Sequence, residues 1–194
     1  GAGADSLWGL SGDDTLDGGP GADLMLGQDG RDLASYAASA SGVTVHLGTG
    51  DGTGGDAEGD RLRGVEDLEG SAHADGLTGD AGANLLAGGA GDDILSGGAG
   101  DDTLDGGPGE DLLTGGLGPD VFVFRDTGGA DTVTDFGPGD VIDLRGIPAL
   151  GGFGDLVGGA AGDTADGVTI DTDAGTVLLL DIAFAALDPA DFLF

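Results

Sequence analysis

Residues 70–123 write one nine-residue phrase six times without losing register: GSAHADGLT, GDAGANLLA, GGAGDDILS, GGAGDDTLD, GGPGEDLLT and GGLGPDVFV. Position one is Gly in every copy, and position four is Gly in all but the first, where His73 stands. Position six is Asp except at Asn84, and position eight is Leu except at Phe122. A fixed internal period defines the structural unit, and so constrains the fold more than any local propensity. It excludes a helical repeat, because each of the two or three Gly per unit would weaken a helix by about 1 kcal/mol.

The phrase divides into a six-residue Gly-rich loop and a three-residue strand whose middle residue is apolar. Gly permits the left-handed backbone that so tight a loop demands. One inward side chain between two outward ones is the period-two pattern of a strand. Three residues cannot hold a strand alone. Successive copies must stack as parallel strands, two copies per coil, with coils about 4.8 Å apart and position-eight residues meeting in a thin core. The expected fold is all-β, a right-handed parallel β-roll of nonapeptide repeats with a C-terminal β-hairpin or strand cap.

Stacking puts Asp93 beside Asp111 on one side of the roll and Asp102 beside Asp120 on the other. Carboxylates at that spacing repel by roughly 1 kcal/mol per pair even in water. A hard cation taking six to eight oxygens suits carboxylates alternating with exposed Gly carbonyls, so Ca²⁺ is expected; Mg²⁺ wants a stricter octahedron and keeps its waters.

Composition narrows the partners. The 194 residues hold 37 acidic side chains against five Arg and no Lys, for a net charge of −32. Such a surface repels nucleic acid and anionic membranes and attracts divalent cations. High charge and 46 Gly would suit disorder, yet the 39% apolar residues sit in a fixed pattern. A chain disordered without metal and folded with it reconciles the two. The absence of Cys excludes disulfides and thiolate sites. No apolar run suggests a membrane span, and no basic segment opens the chain. Gly1 falls inside a repeat, so the chain reads as the C-terminal piece of a longer protein.

GGAGDDILS, GGAGDDTLD and GGPGEDLLT spell GGxGxDxUx, with U apolar, and resemble the nonapeptide of RTX (repeats-in-toxin, haemolysin-type) calcium-binding proteins. DTVTDFGPGDVIDL (131–144) is similar to the exit from the roll in serralysin-type proteases and other secreted RTX enzymes. The resemblance implies that each Ca²⁺ sits between a loop and the loop eighteen residues later. The earlier loop gives its Asp and the carbonyls of positions two and four; the later gives its Asp and the carbonyls of positions one and three.

Carried onto this sequence, the best sites join Gly89, Gly91 and Asp93 to Gly106, Pro108 and Asp111, and Gly98, Gly100 and Asp102 to Gly115, Leu117 and Asp120. A weaker site, with neutral Asn84, joins Asp80, Gly82 and Asn84 to Gly97, Ala99 and Asp102. Another joins Ser71, His73 and Asp75 to Gly88, Ala90 and Asp93, with His73 a strained loop residue offering its carbonyl rather than its ring. In the first block, Gly1, Gly3 and Asp5 face Gly18, Pro20 and Asp23, while Leu10, Gly12 and Asp14 face Gly27, Asp29 and Asp32. About six ions follow, and worn loops add one or two.

In chain order, the roll is expected over 1–144: a repeat block at 1–35, a strand and loop interruption at 36–69, the main block at 70–123, and degraded coils at 124–144. Residues 145–194 form the C-terminal cap and secretion-signal region. Trp8 takes an outward strand position, fit to pack at the end of the roll, against an upstream domain or on a sugar. Within the interruption, GVTVHL alternates as a strand with His46 outward, and GDAEGDRLR is a worn repeat carrying Asp60 and Leu62. The roll should pass through it with wider strands and a bulging loop, and Arg61 and Arg63 should pair with acidic neighbours. Asp131 and Asp140 repeat the nine-residue step. GVTIDTDAGTVLLLDI reads as a hairpin, and a short helix is expected just before it.

Asp191-Phe192-Leu193-Phe194 resembles the uncleaved signal read by type I secretion systems, and equally suits a final strand over the core. HExxH, GxSxG and EF-hand patterns are absent, so no active site is expected in this chain, and any catalytic domain would lie upstream. The function that follows is a secreted, extracellular Ca²⁺-binding module exported by type I machinery. The alternative is a calcium-dependent polysaccharide-binding or adhesin module.

Overall fold

A computed structural model describes residues 1–125, 128–156, 159, 161–172 and 175–194. The short strands stack into two sheets. The eight-stranded sheet runs Thr15–Leu16, Leu33–Ser35, Asp67–Glu69, Leu85–Ala87, Thr103–Asp105, Val121–Arg125, Val141–Gly146 and Phe192–Leu193, every neighbouring pair parallel. The other sheet has twelve strands: Ser6–Ser11, Leu24–Asp29, Arg61–Arg63, Asp51–Thr53, Thr44–His46, Gly76–Thr78, Ile94–Ala99, Leu112–Leu117, Gly129–Val133, Gly175–Leu180, Gly167–Asp171 and Ala161–Asp163. The chain alternates between the sheets through the repeats, which makes a parallel β-roll.

The single apolar residue of each unit sets the register. In the eight-stranded sheet Leu68, Leu86, Leu104, Phe122, Ile142 and Phe192 pair in succession. Facing them, Leu77, Leu95, Leu113, Val133 and Leu179 form the matching column. All of these are buried, and they make a core one side chain deep from each sheet. A one-residue slip would turn a whole strand's apolar residue outward, so the pairing admits no other register.

The interruption differs from a widened coil. In the eight-stranded sheet, Asp67–Glu69 follows Leu33–Ser35 directly, with no extra strand. The other sheet takes the whole insertion as an antiparallel meander laid in reverse. Thr44–His46 pairs with Gly76–Thr78 of the following coil, while Arg61–Arg63 pairs with Leu24–Leu26 of the preceding one. Asp51–Thr53 bridges them antiparallel. Val43 and Val45 are buried and His46 is exposed, as the alternation demands.

At the far end, Gly175–Leu180 adds parallel to Gly129–Val133, and the hairpin with Gly167–Asp171 closes that sheet. The expected turn residues Asp173 and Ala174 lie outside the described residues. Among the described residues the short helix is Phe153–Asp155, with π-helical backbone at Leu156 and Gly159. Phe192 stacks on Phe194 and packs tilted against Phe153, with ring centroids 5.9 and 5.7 Å away. Ile147, Leu150, Leu156, Val168, Ile170 and Leu187 complete a broader apolar cluster than any repeat coil has.

Candidate metal sites

Because each strand is locked by its inward residue, the position-six side chain two residues earlier falls at a fixed place on the rim. Two rows of acidic side chains result. In one, the Asp5 N–H donates to Asp23 Oδ1 (2.6 Å), Asp23 N–H to Asp60 (2.7 Å), Asp75 N–H to Asp93 (2.8 Å), Asp93 N–H to Asp111 (2.9 Å) and Asp111 N–H to Asp131 (3.1 Å). In the other, Asp14 N–H donates to Asp32 (2.9 Å), Asp32 N–H to Glu66 Oε2 (2.9 Å), Asn84 N–H to Asp102 (2.8 Å), Asp102 N–H to Asp120 (2.9 Å) and Asp120 N–H to Asp140 (2.9 Å). One carboxylate oxygen thus stitches consecutive coils together on either side of the interruption.

The second oxygen is the informative one. Oδ2 of Asp14, Asp23, Asp32, Asp93, Asp102, Asp111 and Asp120 is buried and has no hydrogen-bond partner. Leaving a charged oxygen in that state costs more than the roughly 1–3 kcal/mol of a neutral orphan. Burial pushes the Asp93 carboxyl up to about 7 and those of Asp111 and Asp120 up to about 6, and neighbouring carboxylates add to the rise. The backbone N–H bonds pull the other way and lose. The protein's own groups do not satisfy these acids.

The position-one glycines show where the missing partner fits. A Cβ on Gly88 would overlap Asp93 Oδ2 and lie 2.7 Å from the Gly106 carbonyl oxygen; one on Gly97 would overlap Asp102 Oδ2 and lie 2.6 Å from that of Gly115. At Gly9 the corresponding distances are 2.9 Å to Asp14 Oδ2 and 2.7 Å to the Gly27 carbonyl. A loop's own carboxylate and the position-one carbonyl eighteen residues later therefore converge on one cradle. Glycines at positions two and four, such as Gly89 (φ 105°) and Gly91 (φ 125°), hold left-handed backbone that lets consecutive loops nest. Position-four N–H groups reach the next loop's position-three carbonyl: Gly91 to Pro108 (2.9 Å), Gly100 to Leu117 (2.7 Å), Gly3 to Pro20 (2.7 Å) and Gly12 to Asp29 (2.9 Å). Each of those carbonyls keeps a second lone pair. The donors are all oxygen, carboxylate plus carbonyl, which is the chemistry of Ca²⁺. No group of three His, Asp or Glu side chains converges among the described residues, so an ion here would draw heavily on backbone oxygens.

The family described as RTX calcium-binding nonapeptide repeat (4 copies) matches at residues 1–34, 62–95, 69–104 and 87–122. The AlgE6R3 subunit of the Azotobacter vinelandii mannuronan C5-epimerase, solved in solution, is 30% identical at a TM-score of 0.50, over 63% of this chain and 78% of that one. The chain belongs to the RTX calcium-binding repeat family. The extracellular lipase LipA of Serratia marcescens shares the RTX chain's fold at 18% identity and a TM-score of 0.57, over 99% of this chain but only 38% of the lipase. No curated protein matches this chain. RTX repeats bind calcium.

Not every loop of this RTX roll has the same shape. Ser71, His73, Asp80 and Gly82 stay out of the left-handed region. In consequence Ser71 N–H donates to Asp75 Oδ2 (2.5 Å), Ser71 Oγ–H to Asp75 Oδ1 (3.1 Å), and Asp80 N–H to Asn84 Oδ1 (2.8 Å). His73 is exposed and its backbone is not the strained one expected. Elsewhere, Tyr36 donates its hydroxyl to Asp60 Oδ2 (3.1 Å) and Gly137 N–H donates to Asp140 Oδ2 (2.8 Å).

Glu66 takes a rung that the sequence reading missed; Glu66-Asp67-Leu68 keeps the two-residue step from acid to inward Leu, and that spacing was the available signal. Four arginines pair with acids: Arg31–Asp67 (2.8 Å), Arg61–Asp51 (2.9 Å), Arg125–Asp105 (3.2 Å) and Arg145–Asp143 (2.6 Å). Arg63, expected to pair, makes no ion pair among the described residues.

Proposed function

We propose that this chain is the calcium-dependent folding and export module of a larger extracellular protein. The observation that carries it is the set of seven buried carboxylate oxygens with no protein partner. Bound calcium would supply the positive charge those oxygens lack. The protein's part is to place them: inward Leu residues fix the strands, glycines clear the cradles, and each Asp Oδ1 ties one coil to the next. Extracellular calcium modules bind at roughly 10⁻⁴–10⁻³ M, so the acidic chain would stay unfolded in calcium-poor cytosol, pass a type I exporter, and fold outside. Of the six loop pairs expected from the sequence, four keep an ion in this reading, those of Asp5 with Asp23, Asp14 with Asp32, Asp93 with Asp111 and Asp102 with Asp120, while the Ser71 and Asp80 N–H groups close the other two. The roll spans 1–144 in this reading, and 145–194 carries the signal and becomes the cap, with Phe192 read unfolded and later packed beside Ile142. Far-ultraviolet circular dichroism tests it: β signal absent in chelator and returning cooperatively with Ca²⁺ supports the proposal, and an equally folded chain in both conditions defeats it.

A second reading, polysaccharide binding, has its own observation. Trp8, 56% exposed, lies in register with Leu26 and then Arg63 on the outer face, the one arginine without an ion pair among the described residues. A ring and a free guanidinium on a flat face suit a sugar acid, and one similar structure belongs to an epimerase named for mannuronan. Mannuronan retention that survives Trp8→Ala and Arg63→Ala would remove this reading.

A further inference from the structure

The carboxylates that lack a partner are not spread evenly along the roll. Asp14, Asp23 and Asp32 lie in the first repeat block, and Asp93, Asp102, Asp111 and Asp120 in the main one. Between these sets the Asp60, Asp75 and Asn84 rungs have been closed, or replaced, by the chain itself. Asp60 receives the Tyr36 hydroxyl, Asp75 receives both the N–H and the hydroxyl of Ser71, and Asn84 is neutral and receives the Asp80 N–H. The Arg31 guanidinium makes two 2.8 Å bonds to Asp67 beside the Glu66 rung.

The cause is backbone conformation at position two. In the open loops that residue is left-handed, whether glycine as at Gly89 (φ 105°) and Gly98 (φ 109°), or not, as at Leu10 (φ 77°) and Gln28 (φ 83°). Ser71 and Asp80 are not left-handed; the Ser71 N–H occupies the Asp75 carboxylate oxygen that the open loops leave bare, and the Asp80 N–H the amide oxygen of Asn84. These two loops sit on opposite rows, so both rows are closed within one coil.

We infer that residues 36–87 form a calcium-independent divider, so that the roll takes up calcium in two separately titrating blocks, 1–35 and 88–123. The inference rests on the proposal that the bare carboxylates bind calcium. Within a block, coupling is expected, because Asp14 N–H bonds Asp32, Asp93 N–H bonds Asp111 and Asp102 N–H bonds Asp120. An ion that fixes one carboxylate also fixes the next loop's approach. Between the blocks, the rungs already have donors, so ion binding on one side offers them little further ordering.

The test is a CaCl₂ titration of the full chain, followed by amide NMR signals from each block. Asp23→Asn should raise the calcium midpoint of signals in 1–35 at least several-fold and leave 88–123 in place; Asp111→Asn should do the reverse. Combining Ser71→Gly, His73→Gly, Asp80→Gly and Asn84→Asp should raise the calcium bound and bring signals of 70–87 into the 88–123 titration, while 1–35 keeps its own midpoint behind the Tyr36–Asp60 and Arg31–Asp67 contacts. If either single substitution moves both blocks together, the divider is wrong while the calcium proposal stands. If the unaltered chain shows no calcium response, the proposal fails and takes the divider with it.

Discussion

The repeat block at 88–123 and the cap at 145–194 solve the same problem with different means. Each coil of the block buries two apolar side chains, one from each sheet, as with Leu95 and Leu104. Around them stands a rim of carboxylates whose second oxygens have no partner. The cap adds a wider apolar cluster, in which Phe192 packs against Phe153 and Phe194, and closes one sheet with an antiparallel hairpin. Burial drives folding in proportion to apolar area, at roughly 25 cal/mol per Å². The cap can therefore draw most of its stability from its core. The block cannot, because its own rim works against it until positive charge arrives. On the proposed reading, bound calcium sets stability in the block, and packing chiefly sets it in the cap.

Substitutions can pull the two regions apart. The largest effect should come from Gly97→Ala, whose Cβ would occupy the cradle between Asp102 Oδ2 and the Gly115 carbonyl. Calcium-induced folding of the block should be lost at millimolar Ca²⁺, as followed by circular dichroism; an unchanged titration would mean the cradle is not where the ion binds. Next, Phe192→Ala should cost about 3–5 kcal/mol in calcium, the usual range for removing a buried aromatic ring. Thermal denaturation would read that loss, and the calcium midpoint of residues 88–123 should hold; a shift in that midpoint instead would tie the cap to metal uptake.

Acid should act on the block in an unusual direction. The raised folded-state values of Asp93, near 7, and of Asp111 and Asp120, near 6, favour the protonated fold over an unfolded chain whose Asp groups titrate near about 3.9. Their contribution to stability is full below the unfolded value and is lost as pH rises through 6 to 7. In chelator, lowering the pH from about 8 to about 5 should therefore increase β structure in the block. In calcium the same change should weaken metal affinity, since protons compete for the same oxygens. β structure in chelator that falls with acid would contradict the assignment. The smallest effect should come from Leu10→Gly, which relieves a left-handed backbone worth about 1–2 kcal/mol and should raise the melting temperature slightly.

Much of this was readable in advance. Spacing alone places Leu77, Leu95 and Leu113 in one column and Leu86, Leu104 and Phe122 in the other, because a three-residue strand has only one inward position. It also pairs Asp93 with Asp111 and Asp102 with Asp120. The reversed meander was not readable, since its strands find partners at separations that follow no period: Met25 with Leu62, and Val45 with Leu77. Nor was the closing of the Ser71 and Asp80 loops. Residue type at position two does not decide it, because Leu10 and Gln28 are left-handed without being glycine. Position four does not decide it either, because Gly82 lies outside the left-handed region although it is glycine. Conformation there depends on how each loop nests on its neighbour, which a pattern of letters does not carry.

The central claim is that the rim carboxylates of the block are completed by calcium. Hydrogen exchange at the amides of Asp93 and Asp102, which donate to Asp111 and Asp120, tests it most directly. Strong protection in calcium and free exchange in chelator is the predicted result. Equal protection in both would contradict the account, because the rungs would then hold without the ion.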